Sequence, residues 1–377
     1  MPHYLWEQPD WTHFRWENDA ILQKLGECRL LQGKLLGRVT GLGIDLESRA
    51  EAEILVEETA KTAAIEGEAL NMKAVRSSVA RKLGLPSAGL QMDRHVDGLV
   101  SILLNATKDH DSSLTKERLF SWHASLFPTG YSGMHKIRVG KWRGSKSMRV
   151  VSGPIGRETV HFEAPPFDRI PSEIDLFLKW WKDSRGKVEG LLRSAVAHFW
   201  FVTIHPFEDG NGRIARALTD MAVSQDDHQS TRYYSLSAQI MADRNSYYDI
   251  LEHCQKGNGD ITRWLDWFLS CFCRAISRSE GLLEVVLDKA EFWKSHAQTS
   301  LSARQRKVIN RMLDAGRGKF EGGLTTRKYV SLARVSRATA FRELEQLLEL
   351  GILMKNPAKG RSTSYDLNWS DRTNLIN

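Results

Sequence analysis

The chain has 377 residues, which is enough for two or three domains with substantial hydrophobic cores. No apolar run approaches the roughly 20 residues that a bilayer-spanning helix needs, and Met1–Trp16 lacks the apolar segment of a secretory signal. We therefore expect a soluble, cytoplasmic protein. The four cysteines lack the spacing of a zinc site and are expected to be buried thiols in a reducing compartment: Cys28, Cys254, Cys271 and Cys273.

The net charge of +7 is unevenly distributed along the sequence. Residues 300–377 contain fifteen lysines and arginines against seven acidic residues, whereas residues 1–299 contain 38 against 39. The chain thus combines a nearly neutral body with a basic C-terminal part. A local positive surplus is an electrostatic signature of nucleic-acid binding, so DNA is a candidate partner for that part.

Apolar residues recur at helical spacing through most of the sequence, which predicts a mainly α-helical protein. The predicted helices of the first half lie at about 21–36, 46–64, 72–83, 92–107 and 115–127. Those of the second half, before the C-terminal part, lie at 171–182, 191–204 and 261–269. The stretch 191–204 is apolar on nearly all sides, so it is expected to be the buried central helix.

One β-prone segment interrupts this helical pattern. Met148–Gly153 and Glu158–Phe162 are separated by a turn that contains proline and glycine, which predicts a β-hairpin. A two-stranded hairpin is only marginally stable by itself. In a mostly helical chain, we therefore expect this hairpin to take part in the function of the protein and not mainly to stabilise its fold.

The stretch from His205 to Arg216 concentrates the chemically capable residues of the chain. It reads His-Pro-Phe-Glu-Asp-Gly-Asn-Gly-Arg-Ile-Ala-Arg and follows the predicted central helix. Glycines let backbone N–H groups approach phosphate oxygens, and the start of a helix adds positive potential. The stretch therefore predicts a triphosphate-binding loop, with Gly210, Asn211 and Gly212 as its backbone part.

Charged side chains complete the predicted site. Arg213 and Arg216 offer forked donors to phosphates, and Asp209 can hold a divalent cation, either Mg²⁺ or Mn²⁺. His205 is placed to take a proton from an incoming hydroxyl group, which it can do only while it is neutral.

The pattern His-Pro-Phe-x-Asp-Gly-Asn-Gly-Arg-x-x-Arg is the full signature of the Fic family, which this chain resembles at every fixed position of that signature. The resemblance implies a Fic-fold helical bundle with a β-hairpin flap. It also implies a protein adenylyltransferase, which moves AMP from ATP to a Ser, Thr or Tyr hydroxyl on a target protein or on itself. In that reaction His205 would be the base, Asp209 would hold the metal ion, and both arginines would hold the departing phosphates.

The resemblance extends to a short motif at the end of the second predicted helix. Thr62, Glu66 and Gly67 match the inhibitory pattern of the family's class II members, Ser/Thr-x-x-x-Glu followed by Gly or Asn. The implied partner of Glu66 is Arg216. An arginine that is paired with Glu66 could not clamp the γ-phosphate, so the resemblance implies inhibition by the chain's own N-terminal helix. It leaves open removal of AMP as a second activity.

Two more sets of residues are carried over from the family. The hairpin corresponds to the flap that holds a target segment by strand addition, through Val150, Val151, Ser152 and Gly153. Tyr248 is the implied contact on the adenine side. Many members have an asparagine seven residues after this tyrosine, whereas this chain has Gln255.

The basic C-terminal part is expected to be a separate module. Its pattern is a helix, a helix–turn–helix with Ser336 as N-cap, and two strands around a basic turn, which resembles a winged helix. Arg337, Thr339 and Arg342 would face a DNA major groove. Winged helices also dock onto proteins, and the sequence leaves both uses open.

The predicted domain order is an N-terminal helical domain at 1–90, the catalytic core at 91–275, a helical linker at 276–299 and a winged helix–turn–helix domain at 300–377. Two other functions stay open. One is a transcription regulator whose Fic-fold core is a sensor, and the other is a Fic-fold transferase of another nucleotide or of phosphate. A homodimer is also compatible with the sequence.

Overall fold

A computed structural model describes residues 3–40, 44–86, 92–152, 157, 159–357 and 363–369. The chain divides into two compact units, one made of Met1–Gly43 and Glu47–Ser279 and the other of Ile44–Leu46 and Glu280–Asn377. The prediction of a mainly helical fold is confirmed. Within the described ranges, each helix is too short or too polar to pass through a lipid bilayer.

The helices of the described residues are α1 Asn18–Thr40, α2 Ile44–Ile65, α3 Met72–Lys82, α4 Arg94–Lys108, α5 Lys116–Leu126, α6 Ile170–Ser184, α7 Gly190–Ile204, α8 Asn211–Asp227, α9 Leu236–Ala242, α10 Arg244–Gln255, α11 Thr262–Ser295, α12 Ala303–Leu313, α13 Thr326–Ala333 and α14 Arg337–Glu349. The strands are β1 Tyr131–Ser132, β2 His135–Lys136, β3 Arg149–Ser152, β4 Thr159–Glu163, β5 Leu353–Lys355 and β6 Tyr365–Leu367. They form three antiparallel pairs, β1–β2, β3–β4 and β5–β6.

Helix α7 is the centre of the first unit, as its apolar sequence predicts. Every residue of this helix is buried, and α8 packs along it. Trp264 of α11 donates its indole N–H to the carbonyl of Ala195 at 2.9 Å. Trp11 and Phe14, from the segment before α1, pack edge-on against Trp200. This dense centre fixes the end of α7, from which the candidate loop departs.

Helix α2 is fastened to the core by a buried carboxylate. Glu58 accepts hydrogen bonds from the hydroxyl groups of Ser235 and Ser237 and from the N–H of Ser237, at the start of α9. Burial raises the pKa of Glu58, while burial and the nearby Glu58 raise the pKa of Asp220 to about 8. A carboxyl group held by several donors at a helix start is a directional anchor, so it fixes α2 beside the core.

The predicted hairpin is formed by β3 and β4. The facing pairs are Arg149–Glu163, Val150–Phe162, Val151–Val160 and Ser152–Thr159, with an irregular register between Val150 and Val151. Phe162 is buried and packs edge-on against Tyr4, with 5.3 Å between the ring centres. Gly153, one of the predicted target contacts, lies outside the described residues.

The expectation of four free thiols is wrong for two of the cysteines. Cys28 of α1 and Cys273 of α11 form a disulfide, with 5.0 Å between their Cα atoms. Cys254 and Cys271 are buried free thiols, and burial raises the pKa of Cys254 to about 11. The paired cysteines are 245 positions apart, so only the packing of α1 and α11 brings them together.

The second unit has its own hydrophobic core, shared by α12, α13, α14 and the β5–β6 pair. Tyr329, at its centre, donates its hydroxyl to Glu343 at 2.7 Å. Ser336 caps α14 by accepting the N–H of Thr339. Three helices followed by a two-stranded hairpin is the element order expected from the sequence, and the assignment as a winged helix stays a prediction.

Gly98 tests the close packing of α4 on α5. A Cβ atom at this position would lie 1.8 Å from the backbone oxygen of Ser125. We expect Gly98→Ala to lower the free energy of unfolding by about 2 kcal/mol, measured by urea denaturation, because the helices must move apart. Gly26→Ala is the matched control, since a Cβ atom there meets nothing within 4 Å, and it should stabilise by up to about 1 kcal/mol. Equal stability of the two variants would contradict the packing described.

Candidate functional site

The candidate loop joins the buried helix α7 to α8. After Ile204, His205 takes a left-handed conformation (φ 50°, ψ 58°) that turns the chain off the helix axis. Gly210 is left-handed as well (φ 81°), and α8 begins at Asn211. A Cβ atom on Gly210 would lie 3.0 Å from two neighbouring side chains, so this position needs glycine both for its backbone angle and for space.

The side chain of Asn211 holds the loop in shape. Its oxygen accepts the N–H of Phe207 and its nitrogen donates to the carbonyl of Phe207, both at 2.9 Å. The amide is therefore occupied within the loop. The backbone N–H groups of Asn211 and Gly212 lie in the first turn of α8, where a helix has no acceptor of its own for them.

Arg143 supports the same loop from outside. It is buried, and its Nε donates to the carbonyl of His205 at 2.9 Å while its Nη2 donates to the carbonyl of Pro165. Its backbone N–H donates to the carbonyl of Pro206, also at 2.9 Å. One guanidinium thus ties the turn at His205 to the end of the β3–β4 hairpin.

His123 fills the space beneath the loop. Its ring is fully buried and stacks on Phe207, with 4.2 Å between the ring centres. Its Nδ1 accepts the N–H of Gly140, so Nε2 carries the proton that faces the carbonyl of Asp209 at 3.2 Å. Burial lowers the pKa of His123 to about 4, which keeps this ring neutral and structural, as the aromatic surroundings of His123 suggest.

His205 presents a basic nitrogen. Its Nδ1 lies 3.2 Å from the carbonyl oxygen of Val202, and a carbonyl can only accept, so in the neutral ring the lone pair is on Nε2. Burial lowers the pKa of His205, and the positive charge of Arg143 lowers it further. Glu66 and Asp209 act in the opposite direction without reversing the shift. The neutral form, which can accept a proton, is therefore favoured near pH 7.

Asp209 is a half-buried carboxylate of the loop. Its Oδ1 accepts the N–H of Gly210 at 2.6 Å, and its Oδ2 accepts the hydroxyl of Ser132 from the β1–β2 hairpin. The side chain is 36% exposed, so a carboxylate edge faces solvent. In the part of the chain that the structure describes, no cluster of three or more His, Cys, Asp or Glu side chains could hold a metal ion. A single carboxylate nevertheless fits Mg²⁺, which commonly takes one or two carboxylates and completes its shell with phosphate oxygens and water.

Arg216 is the more deeply buried of the two signature arginines, with 2% of its side chain exposed. Its Nε donates to the hydroxyl of Thr62 at 2.6 Å, and its Nη2 donates to the carbonyl of Thr62 at 2.9 Å and to Glu66 Oε1 at 2.7 Å. Burial opposes the charge, but Glu66 and nearby tyrosines hold the pKa of Arg216 above its usual value. Its Nη1 is buried without a hydrogen-bond partner among the described residues. The pair that the resemblance implies, Glu66 with Arg216, is therefore present as a contact.

The Glu66 carboxylate also covers the start of α8. A Cβ atom on Gly212 would lie 2.2 Å from Glu66 Oε1. The carboxylate thus rests on the helix turn where the glycines were expected to admit phosphate. Gly212 makes this approach possible, since any side chain would collide with Glu66.

Arg213 makes a parallel contact with a second carboxylate. Its Nη1 lies 3.2 Å from Glu68 Oε2, and its Nη2 lies 3.5 Å from Asp209 Oδ2. The guanidinium carbon lies 5.0 Å from the ring centre of Phe127. Both signature arginines are therefore paired with carboxylates from the segment that follows α2.

Tyr248 lies beside the same segment. Its hydroxyl donates to the carbonyl of Ile65 at 3.4 Å, and the guanidinium of Arg244 lies over its ring at 5.4 Å. Gln255 is buried and donates to Thr203, so its amide is engaged inside the core. The adenine contact of Tyr248 stays a prediction.

The remaining predicted residues lie apart from the loop sequence. Val150 and Val151 are on β3, where Val151 is 47% exposed, and they stay predicted target contacts together with Ser152. Arg337 and Arg342 are exposed on α14, and the hydroxyl of Thr339 is hydrogen bonded to Ser336.

Two segments of the chain match known families. Residues 4–85 match a domain of unknown function, DUF4172, and residues 113–223 match the Fic/DOC family. The second match spans α5 to the middle of α8 and includes the whole candidate loop. The chain therefore contains a Fic/DOC family domain.

Relatives with an assigned name are similar to the Fic domain at low identity. The Protein adenylyltransferase Fic of Nematostella vectensis is 26% identical over 217 residues, which is 56% of this chain and 46% of that protein. The Protein adenylyltransferase fic-1 of Caenorhabditis elegans is 25% identical over 166 residues, 42% of this chain and 30% of that protein. This chain thus spans less than half the length of either relative.

Solved structures share the fold. A Fic family protein from Desulfovibrio desulfuricans G20 superposes with a TM-score of 0.53 at 20% identity, covering 94% of this chain and 97% of that one. A Fic domain containing signaling protein from Bacteroides thetaiotaomicron VPI-5482 gives a TM-score of 0.52 at 19% identity, covering 68% and 96%. At these identities the likeness establishes the Fic fold alone.

Sequence reasoning missed three residues that contact the loop of the Fic domain: Ser132, Arg143 and Glu68. Ser132 and Arg143 act from a separate segment, and Arg143 binds backbone carbonyls, which every sequence has. Glu68 lies two residues beyond the expected inhibitory glutamate. A second carboxylate close to Glu66 was the available signal for a partner of Arg213.

The charge environment of His205 can be tested by titrating its imidazole with NMR. Arg143→Gln should raise the pKa of His205, because it removes a positive neighbour, and Glu66→Gln should lower it, because it removes a negative one. Arg263→Gln, which removes an exposed positive charge on α11, is the control and should leave the pKa unchanged. Shifts of the same sign in the first two variants would contradict the arrangement.

Proposed function

We propose that the chain is a protein adenylyltransferase that moves AMP from ATP to a Ser, Thr or Tyr hydroxyl of a target protein. The observation that carries this proposal is the Fic-domain loop itself. Within one turn and one helix start it combines a neutral imidazole, a partly exposed carboxylate, helix N–H groups that have no acceptor within the helix, and two buried arginines. The low-identity relatives named protein adenylyltransferase support the same reaction class.

The start of α8 would bind the phosphates of ATP. The N–H groups of Asn211 and Gly212 point along the helix axis, where the helix dipole favours negative charge. Arg213 and Arg216 would hold the β- and γ-phosphates once they leave Glu68 and Glu66. Asn211 contributes through its backbone, because its side chain is occupied by Phe207. Tyr248 would lie on the adenine side.

Asp209 would hold Mg²⁺ or Mn²⁺ as the single protein carboxylate. When bound, the ion supplies positive charge to the α- and β-phosphate oxygens. Ser132 and the N–H of Gly210 orient the carboxylate for this role.

His205 would be the general base. Its Nε2 takes the proton of the target hydroxyl while the hydroxyl oxygen attacks the α-phosphorus, and the bond to the β-phosphate oxygen breaks as pyrophosphate leaves. The α8 N–H groups stabilise the charge that develops on the α-phosphate oxygens. Val150, Val151, Ser152 and Gly153 would hold the target segment main chain to main chain.

The contacts of Glu66 support an enzyme that is inhibited in this conformation. The carboxylate occupies both Arg216 and the space over Gly212, so a γ-phosphate cannot reach either. With the helix in place, Glu66 could instead orient a water for removal of AMP. Transfer of another nucleotide or of phosphate would use the same loop with a different donor.

The transfer can be tested with ATP that is labelled on the α-phosphate. Glu66→Gly should increase labelling of protein by at least about tenfold, because a freed Arg216 regains a charge-assisted contact worth about 1.5–3 kcal/mol. His205→Ala in the same background should abolish the label. Activity should fall as the pH drops below the lowered pKa of His205, since the base must be neutral.

Glu53→Gly is the matched control for that experiment. It makes the same change at a glutamate within α2, whose ion pair among the described residues is with the exposed Arg76. It should leave labelling at the low level of the unaltered chain. Labelling of protein by ATP that carries the label on its γ-phosphate, but not on its α-phosphate, would favour phosphate transfer. No labelling of protein with any nucleotide donor or metal ion would favour the sensor function.

DNA binding by the second unit is a second candidate function. Arg337 and Arg342 are exposed on α14, and neither forms an ion pair with a described residue. Unpaired arginines on a capped helix that follows a turn suit contact with base edges and phosphates. This unit would then make the chain a regulator as well as an enzyme.

The joint substitution of Arg337 and Arg342 by alanine tests that function. It should weaken binding of a preferred duplex at physiological salt by at least about tenfold, since each base contact is worth about 1–3 kcal/mol. Lys307→Ala with Arg311→Ala, which removes two exposed charges from α12, is the control. Equal losses in both variants, or binding that disappears at physiological salt, would reduce the unit to a protein-docking module.

A further inference from the structure

A stretch of forty residues next to the candidate loop contains no acidic residue. Residues 118–157 include eight lysines and arginines but neither aspartate nor glutamate. The whole chain has 46 acidic residues among 377, so about five would be expected in a stretch of this length. This stretch includes β1, β2 and β3.

Not all of these positive charges are available to a partner. Arg118 and Arg143 donate to backbone carbonyls, and Arg149 pairs with Glu163 at 2.9 Å. Of the remaining five, Arg157 follows β3, and the four that precede β3 are exposed and form no ion pair with a carboxylate of the described residues: Lys136, Arg138, Lys141 and Lys146. We refer to these four residues as the cationic rim.

The cationic rim borders the candidate loop. The backbone N–H of Arg138 donates to Glu208 Oε2 at 2.9 Å, and the backbone N–H of Arg143 donates to Pro206. Lys141 lies between these two attachments in the chain, and Lys146 precedes β3 by three residues. The rim therefore follows the backbone from the loop to the strand that is expected to receive the target.

Exposed apolar side chains accompany these charges. Met134, at the tip of the β1–β2 hairpin, is 93% exposed, Tyr131 is 46% exposed and Val151 on β3 is 47% exposed. Methionine, tyrosine and arginine are enriched at protein-binding surfaces, and Met134, Tyr131 and Arg138 are all exposed here. Arg213 and Arg216, which are proposed to bind the phosphates of ATP, are buried and are therefore separate from the exposed rim. The rim can then contact the target protein, which is the second substrate of the proposed reaction.

We propose that the cationic rim selects targets in which aspartate or glutamate residues flank the modified hydroxyl. This inference rests on the proposed transfer reaction and names the class of its protein substrate. Main-chain pairing along β3 holds a segment with little regard to its sequence, so selectivity must come from the side chains around the strand. Exposed cations attract an acidic segment, orient it and repel a basic one. An edge strand pairs with a polypeptide rather than with a nucleic acid, which favours protein as the occupant.

Three synthetic peptides test the preference in the Glu66→Gly variant of the 377-residue chain. They share one extended core with a Ser, a Thr and a Tyr, flanked by Asp/Glu, by Ala or by Lys. With ATP labelled on the α-phosphate, kcat/KM for the acidic peptide should exceed that for the Lys peptide by at least about tenfold at 50 mM salt. The ratio should shrink at 500 mM salt, where screening is strong.

A pair of matched variants locates the effect. Lys136→Gln, Lys141→Gln and Lys146→Gln together remove three charges from the rim, while Lys179→Gln, Lys182→Gln and Lys187→Gln remove three exposed charges on and after α6. The rim variant should lose most of the acidic preference, with KM for ATP unchanged, and the α6 variant should keep it. All six lysines are exposed, so both variants should keep the Tm of the parent.

The possible results separate the two proposals. Three results would overturn the role of the rim. The peptides could be labelled without a preference for the acidic one, the rim variant could keep that preference, or both variants could lose it equally. Label on added RNA or DNA instead of peptide would overturn it in favour of nucleic acid. Absence of label from every peptide and from the chain itself would overturn the transfer reaction.

Discussion

The buried charge of Arg216 is the constraint on which the candidate site depends. A guanidinium that is 2% exposed requires an anion and several acceptors, because an uncompensated buried charge costs several kcal/mol. Thr62, in the last turn of α2, and Glu66, directly after the helix, meet this requirement. The anchoring of Glu58 at the start of α9 then has a clear purpose, since it places α2 so that Glu66 can reach Arg216. Gly212 completes the arrangement by leaving room for the carboxylate.

The loop itself is rigid for reasons that do not involve a ligand. Asn211 closes it internally, Arg143 holds its outer carbonyls, and neutral His123 supports the carbonyl of Asp209 from beneath. His205 is therefore held in a left-handed conformation that few non-glycine residues adopt. Preorganisation of this kind fixes His205 and the helix start without a ligand, so a substrate would not have to spend binding energy on ordering them.

Local patterns predicted the fold class and the loop well, and long-range contacts were the part that sequence reasoning missed. The apolar run of α7 and the β-prone runs of the hairpin carry their own periodicity, so both were placed correctly. The contact of Glu66 with Arg216 spans 150 positions and was reached only through family resemblance. The sequence did not reveal the role of Arg143, because this residue binds backbone carbonyls, which carry no sequence pattern. It did not reveal the Cys28–Cys273 disulfide either, because only the packing of α1 on α11 brings these two cysteines together. The residue types of a segment thus indicate its secondary structure and its chemistry, whereas its contacts with distant segments depend on tertiary packing.

Under the proposed function, the two carboxylates after α2 would make inhibition and productive ATP binding mutually exclusive. Glu66 pairs with Arg216 and Glu68 pairs with Arg213, so one displacement of this segment would free both arginines for the phosphates of the proposed substrate. Leaving Arg216 without an anion is costly, so the displaced state is unfavourable until a phosphate takes the place of Glu66. ATP in its productive pose and release of α2 must then favour each other by the same factor, because thermodynamic linkage is reciprocal. If the chain is inhibited as proposed, weakening the attachment of α2, for example at Glu58, would be enough to relieve the inhibition, and the triphosphate would then replace the carboxylates as the partner of both arginines.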